Sequence, residues 1–325
     1  MKTDKTKLYK SFPCTKVKQP FTLSELETLF ETAAQFQYQG MELFEIYQRP
    51  DGWKFDRPRA VAIRTAAEKA GLRVHSVSRG FTQVNMPDWF DRSVAEMKEM
   101  IRETSACGAD VLLWVPCRIA IRIDPFSGYE IDYDPRTCRI KSVRDKKNTS
   151  YEEYIQLHNE ATEWTYRAVE LLAPVAAKEG VTIAIENVGN NLWIESKMSR
   201  ALLDMFDNRW IRAYYDLANS FRYEPVEIGL RTLGAARIAG LHLKDALRDA
   251  KFPGATKRVP VGFGHINWPL IRRTIEEIGL SVWVTPEDMP HYSREEYSKI
   301  LGAFFDGKLT RDFARQVHDY TLPEK

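Results

Sequence analysis

VTIAIEN at residues 181–187 is followed by IRAYYDLAN at 211–219, IAGLHLKD at 238–245 and SVWVTPED at 281–288. Each is an apolar run of strand length that carries a potential metal ligand at or near its end: Glu186, Asp216, His242 and Glu287. Near-continuous apolar runs are the signature of parallel strands buried on both faces. The ligand spacings are 30, 26 and 45 residues, against roughly 30 for one strand–helix–strand unit. Each candidate therefore falls one unit after the last, and the Gly/Pro-containing loop at 247–264 absorbs the surplus in the final gap. In a (β/α)8 barrel all strand C-termini point to one rim, where active sites sit, so four such residues converge.

The same rhythm extends upstream. An apolar-aromatic run at Leu8 to Cys14 reads as a first strand, and Thr22 with Glu25 forms a capping-box pattern before Leu26, Leu29, Phe30 and Ala33 recur at helical spacing. MELFEIY (41–47) is a second strand, and Ala60, Ile63, Ala67 and Ala70 trace one helical face ending at Gly71. LRVHSVS (72–78), a helix over about 88–108 and VLLWVPC (111–117) follow. The periodicity then breaks. Residues 118–150 hold three turn formers and a basic run, with no periodic apolar face, and read as a long insertion loop of a kind that is often functional. A long helix over 151–180 contains Pro174, which predicts a kink or a junction. Further helices are expected at 196–207, 224–235, 268–279 (capped by Asn267) and from Ser293. Eight strand–helix units without a Gly-rich phosphate turn after the first strand favour an α/β (β/α)8 TIM barrel over an open dinucleotide-binding sheet. The expected organisation is one barrel domain over 1–325, with 118–150 inserted after strand 4 and a C-terminal tail at 308–325.

Bulk composition excludes several classes. Hydrophobic residues at 44% and charged residues at 28% predict a packed core. Lys plus Arg total 47 against 45 Asp plus Glu, so no global basic field argues for nucleic-acid or membrane partners. The four cysteines, Cys14, Cys107, Cys117 and Cys138, have neither metal nor disulfide-scaffold spacing, and no run approaches a transmembrane length. Reduced thiols in a cytoplasmic protein are the simplest expectation.

Each candidate ligand has a structural explanation when taken singly, as a cap, an ion-pair partner or a barrel histidine. Together they point elsewhere. Three carboxylates buried at one rim without a counter-charge are severely unfavourable, and one divalent cation removes that cost while neutral His242 supplies a nitrogen. The donor set suits Mn²⁺, taken as first choice, or Co²⁺, Mg²⁺ or Zn²⁺.

IAIEN (183–187), YYDLAN (214–219), GLHLKD (240–245), GFGHINW (262–268) and VTPED (284–288), in this order, resemble the xylose isomerase-like TIM-barrel superfamily, the sugar phosphate isomerase/epimerase group. The resemblance covers most of residues 8–305. It implies that Glu186, Asp216, His242 and Glu287 coordinate one divalent ion, as in ketose 3-epimerases and hydroxypyruvate isomerases. It also implies that Glu186 and Glu287 are the acid/base pair, moving a proton beside a carbonyl through a metal-bound enediolate. Arg248 stands where epimerases of this group place an arginine contacting substrate, or is a solvated loop arginine; Asn219 is a further substrate-side candidate, and Lys244 contacts substrate or ties down the rim. Trp114 and Cys117, ending strand 4, stand where pocket-lining residues are expected, with filling of the barrel as the alternative for Trp114. Asp245 contacts substrate or ties down the rim. His75 and His158 read first as structural, with His158 also retained as a substrate-side candidate.

Two departures bear on the reaction. Asn219 stands where epimerases of this group often have His, and loop 118–150 is longer than a minimal epimerase needs. No basic cluster on the last loops announces a phosphate clamp. The leading expectation is a metal-dependent sugar isomerase or epimerase. The alternative is a lyase cleaving 3-keto-C-glycosides, resembling C-glycoside deglycosidase catalytic subunits, which would act as a hetero-oligomer with a small partner subunit; a homo-oligomer is the other expected assembly. Six histidines and near-neutral charge argue against a DNA-cleaving, trinuclear-zinc relative, and a sugar-binding protein with a vestigial site completes the set.

Overall fold

The computed structural model describes residues 6–12, 22–44, 56–287 and 291–322. The barrel strands are β1 (Leu8–Phe12), β2 (Gly40–Phe44), β3 (Arg73–Phe81), β4 (Val111–Val115), β7 (Thr182–Glu186), β8 (Ile211–Asp216), β9 (Ile238–Leu243) and β12 (Val282–Pro286). Between them come two hairpins, β5 (Glu130–Tyr133) with β6 (Ile140–Arg144), and β10 (Asp245–Arg248) with β11 (Thr256–Val259). The eight barrel strands are parallel and close in the order β1-β12-β9-β8-β7-β4-β3-β2. The helices are α1 (Leu23–Gln35), α2 (Arg57–Lys69), α3 (Pro87–Ala106), α4 (Glu152–Glu179), α5 (Ser196–Phe206), α6 (Val226–Leu233), α7 (Trp268–Glu277), α8 (Arg294–Phe305) and α9 (Arg311–Val317). Among the described residues no helix is long and apolar enough to cross a membrane.

Local sequence signals account for the helix boundaries. The Thr22 hydroxyl accepts from the Glu25 amide at 3.2 Å while the Glu25 carboxylate accepts from the Thr22 amide at 2.7 Å, closing the capping box. Leu26, Leu29, Phe30 and Ala33 are the face that α1 buries. Asn267 caps α7 through the Leu270 amide, and Trp268, Ile271 and Ile275 face inward. Gly180 ends α4 in the left-handed conformation that glycine adopts without steric cost. Pro174 lies inside α4, which runs through it as one helix, so the expected junction does not occur.

Three sequence expectations are corrected. The segments 118–150 and 247–264 are not featureless loops: each contains an antiparallel hairpin. Their strands, EIDY, IKSVR, DALR and TKRV, each interleave charged residues, so none presents the continuous apolar run that marks a barrel strand. The C-terminal segment carries α9, whose Arg311 donates to the Phe263 and Gly264 carbonyls. Trp114 does not line the pocket. Val111, Leu113 and Val115 pack with Ala184 and Tyr214 inside the barrel, so strand alternation turns Trp114 outward, where it is fully buried and donates to Thr82. Cys117 faces α4 through Thr165. Cys107, Cys117 and Cys138 are buried, and Cys14 lies outside the described residues.

Asp245 fastens the second hairpin to the barrel. Its buried carboxylate accepts from the amides of Ala246 (2.8 Å), Gly262 (2.9 Å), Gly264 (2.9 Å) and Ile266 (3.4 Å), and from the Trp268 indole (3.0 Å). Burial pushes this carboxyl up to about 6, against the pull of these donors. Of the two roles expected for Asp245, the structure assigns it the structural one. Gly240 serves the barrel interior: a Cβ there would stand 2.5 Å from the Tyr214 ring.

Two stability outcomes follow. Asp245→Asn turns an amide NH₂ toward N–H donors and should cost on the order of 3 kcal/mol in urea unfolding; a loss under about 0.5 kcal/mol, the range of a neutral surface change, would contradict the anchor role. Gly240→Ala should cost about 1–3 kcal/mol by overpacking against Tyr214, read as a lowered melting temperature.

Candidate metal centre

The four sequence-derived ligands come together. One donor atom from each of Glu186, Asp216, His242 and Glu287 lies within 4.8 Å of every other. They stand at the C-terminal ends of β7, β8, β9 and β12, with Asp216 level with His242 across one strand pair and Thr285 level with His242 across the other. Glu186, Asp216 and His242 are buried, and Glu287 is 17% exposed, the most open of the four.

Asp216 is held by its backbone and by one oxygen. Asn187, the residue after Glu186, donates to the Asp216 carbonyl and accepts from its amide, locking the two strand ends together. The Asp216 Oδ1 accepts from the amides of Ala218 and Asn219, both at 2.8 Å. Oδ2 is left to face the centre, 2.9 Å from the Lys244 Nζ and 3.9 Å from the His242 Nδ1. The same Nδ1 lies 3.2 Å from Glu186 Oε1 and 2.6 Å from Glu287 Oε2.

Lys244 lies among the candidate ligands. It is buried against the ligands, with its ammonium 2.9 Å from Asp216 and 2.8 Å from Glu287. The carboxylate cluster therefore has one internal counter-charge that the sequence did not reveal. Formally, three carboxylates and one ammonium leave two negative charges, which a divalent cation neutralises. The donor set fits such an ion: three carboxylate oxygens and an imidazole nitrogen converge, and the main chain satisfies one Asp216 oxygen while the other, paired with the Lys244 ammonium, faces the centre.

The charges perturb one another strongly. Burial disfavours the Lys244 ammonium, but Asp216, Glu287 and Glu186 outweigh it and hold the lysine protonated. Burial likewise opposes imidazolium at His242, yet Glu287 and Glu42 raise it well above its ordinary value. Glu287 is driven the other way: despite burial, His242 and Lys244 hold it well below the usual carboxylate range. Burial raises Glu186. These directions describe a pocket that attracts positive charge, whether proton, ammonium or metal.

Sequence reasoning missed the layer beneath. Glu42 on β2 is 2% exposed, and its Oε1 lies 2.9 Å from the His242 Nε2. Its Oε2 accepts from the Tyr214 hydroxyl at 2.6 Å and the Ser76 hydroxyl at 2.7 Å. Burial pushes the Glu42 carboxyl up, but His242, His75 and the Tyr214 hydrogen bond outweigh it and leave the group below its ordinary value. The available signal was a single glutamate inside the apolar run MELF, since a charge inside a barrel must find partners.

The remaining candidates separate by position. Asn219 Nδ2 and Arg248 Nε are buried without a protein hydrogen-bond partner, as is Arg222 Nε in the turn after β8. The Arg248 guanidinium lies 5.3 Å from the Phe126 ring, and Tyr129 meets Tyr223 edge-on, so the segment after β4 reaches the loops that follow β8 and β9. His75 bonds the Ser11 hydroxyl and stacks on Trp283 at 4.4 Å; burial lowers it to about 3, so it is neutral. His158 is buried on α4 beside Tyr154 and Trp193, and burial lowers it to about 4. Its surroundings are those of a packed ring.

No curated protein sequence matches the chain. Solved structures do. The D-psicose 3-epimerase of Clostridium cellulolyticum H10, solved with D-tagatose, is 16% identical at TM-score 0.60, covering 95% of this chain and 99% of its own. The 3-keto-D-glucoside 4-epimerase of E. coli is 12% identical at TM-score 0.59, covering 93% and 97%. The IolI protein, solved with a zinc atom, is 16% identical at TM-score 0.62, covering 97% and 100%. At these identities the likeness establishes the fold. A family model matches residues 30–304, and the chain belongs to the xylose isomerase-like TIM-barrel family.

Proposed function

We propose that the protein is a divalent-metal-dependent sugar isomerase or epimerase, and the observation that carries this reading is the convergence of Glu186, Asp216, His242 and Glu287 within 4.8 Å. Glu186 Oε1, Asp216 Oδ2, His242 Nδ1 and Glu287 Oε2 would hold the ion, with Mn²⁺ as first choice. When bound, it supplies Lewis acidity to a carbonyl and its neighbouring hydroxyl, which acidifies the C–H between them. Glu287, the most open ligand, and Glu186, on a strand across the centre, are assigned as the pair that takes the proton and returns it. Lys244 stays protonated beside both Asp216 and Glu287 and orients them. The partnerless nitrogens of Asn219, Arg222 and Arg248 suit a substrate rich in oxygen atoms. Asn219 can hold a hydroxyl but cannot titrate.

A second reading has its own support. The contacts of Phe126 with Arg248 and of Tyr129 with Tyr223 bring the segment after β4 to the loops following β8 and β9, an arrangement suited to a substrate larger than a free ketose. The similarity of the fold to a 3-keto-D-glucoside epimerase is compatible with a keto-glycoside. On this reading the same proton abstraction leads to loss of an aglycone from a 3-keto-C-glycoside, with a small partner subunit. A small-molecule sugar or glycoside is the proposed partner in both cases, and cytoplasmic localisation is retained as part of the proposal.

Incubation in D₂O with free ketoses and with keto-C-glycosides separates the readings. Deuterium at the epimerised carbon supports the first, and aglycone release without epimer formation supports the second. Chelation should abolish activity and Mn²⁺ should restore it; metal at a hundredfold excess over its dissociation constant should stabilise the fold by about 2.7 kcal/mol. Glu287→Gln should lower kcat by about 10²–10⁴-fold. Activity undiminished by complete metal removal would contradict both readings.

A further inference from the structure

We infer that Glu42 is a positioning residue for the metal centre: it fixes which nitrogen of His242 faces the ion and holds the ring in that orientation. This rests on the metal-dependent reading above but assigns a role to a residue from the opposite half of the chain.

The argument is one of donors and acceptors. An ionised carboxylate only accepts hydrogen bonds, and a neutral imidazole has one N–H to give. Glu42 meets three groups able to donate: the Tyr214 hydroxyl at 2.6 Å, the Ser76 hydroxyl at 2.7 Å and the His242 Nε2 at 2.9 Å. Carboxylates face both ring nitrogens, Glu287 at 2.6 Å from Nδ1 and Glu42 at 2.9 Å from Nε2; with a cation among Glu186, Asp216 and Glu287, His242 is neutral, Glu42 keeps its remaining proton on Nε2, and the Nδ1 lone pair faces the ion. The other tautomer would set the Nε2 lone pair against a buried carboxylate. It would also place a proton where the cation must bind.

The ring is fixed in space as well as in protonation. The Tyr214 ring packs against His242 at 4.5 Å, its hydroxyl reaches Glu42 and lies 3.2 Å from Thr285, and Gly240 leaves no room for Tyr214 to shift toward β9. Five barrel strands, β2, β3, β8, β9 and β12, thus contribute to one polar layer directly beneath the ligands. A carboxylate on the far nitrogen of a ligating histidine orients the ring and raises its basicity, and losing such a partner typically costs about 10- to 100-fold in metal affinity.

The test compares wild type, Glu42→Gln and Tyr214→Phe in the full chain. Mn²⁺ dissociation constants are measured from the electron paramagnetic resonance of free ion, and the His242 protonation pattern is read by ¹⁵N NMR of the Zn²⁺-loaded protein. Glu42→Gln, which places an amide opposite Nε2, should weaken Mn²⁺ binding by about 10- to 100-fold. Tyr214→Phe removes one donor to Glu42 and loosens the ring, so it should weaken binding by a smaller factor, and it carries the test if Glu42→Gln does not fold. In wild type the Nε2–H resonance should be present and Nδ1 should show the metal-bound shift. Glu42→Gln binding Mn²⁺ within twofold of wild type with an unchanged ¹⁵N pattern overturns the inference alone. Likewise, if only Tyr214→Phe folds, unchanged affinity and pattern overturn it. Wild type failing to bind Mn²⁺ overturns the metal centre and this inference together.

Discussion

Three carboxylates crowded around one imidazole at the mouth of a barrel are the constraint to which the rest of the structure answers. Desolvated negative charges in one pocket repel each other and lose hydration, so the site exists only if something pays that cost. Lys244 removes one charge by ion-pairing to Asp216 and Glu287. Main-chain amides satisfy one oxygen of Asp216. The residual charge is what a divalent cation would neutralise, which is the basis of the proposed metal centre.

Supporting structure is arranged around that need in layers. Directly beneath lies the polar network of Glu42, Ser76, Tyr214 and Thr285, in which the buried carboxylate has donors for both of its oxygens. Beside the rim, Asp245 gathers the amides of the loop after β11 and the Trp268 indole, so the hairpin following His242 is anchored to α7. Away from the rim, the hydrophobic cluster between barrel and helices includes Trp114, Leu112 and Phe30. The order of these layers explains why adjacent residues in HLKD do unlike things: His242 and Lys244 point into the centre, and Asp245 points away from it to hold the loop.

The barrel and the convergence of four candidate ligands were legible because their signals are local and repeated. Apolar runs with a carboxylate or histidine at the end recur at a period set by the strand–helix unit, and caps such as Thr22 and Asn267 mark helix starts by residue type alone. What was not legible depends on pairings distant in sequence. Glu42 and His242 are 200 residues apart, and nothing in MELFEIY says which ring nitrogen it will meet. The expectation for Trp114 failed because a residue at a strand end lines the pocket only if alternation turns it inward, and in β4 the inward set is Val111, Leu113 and Val115. The two hairpins escaped notice because their strands, EIDY, IKSVR, DALR and TKRV, lack the continuous apolar run of a buried barrel strand.

The central claim, a single divalent ion held by these four side chains, is tested most directly by anomalous diffraction from crystals grown with Mn²⁺. The account predicts one strong anomalous peak within bonding distance of Glu186, Asp216 Oδ2, His242 Nδ1 and Glu287 Oε2. No peak there, with the Lys244 ammonium still bridging Asp216 and Glu287 at saturating Mn²⁺, would contradict it.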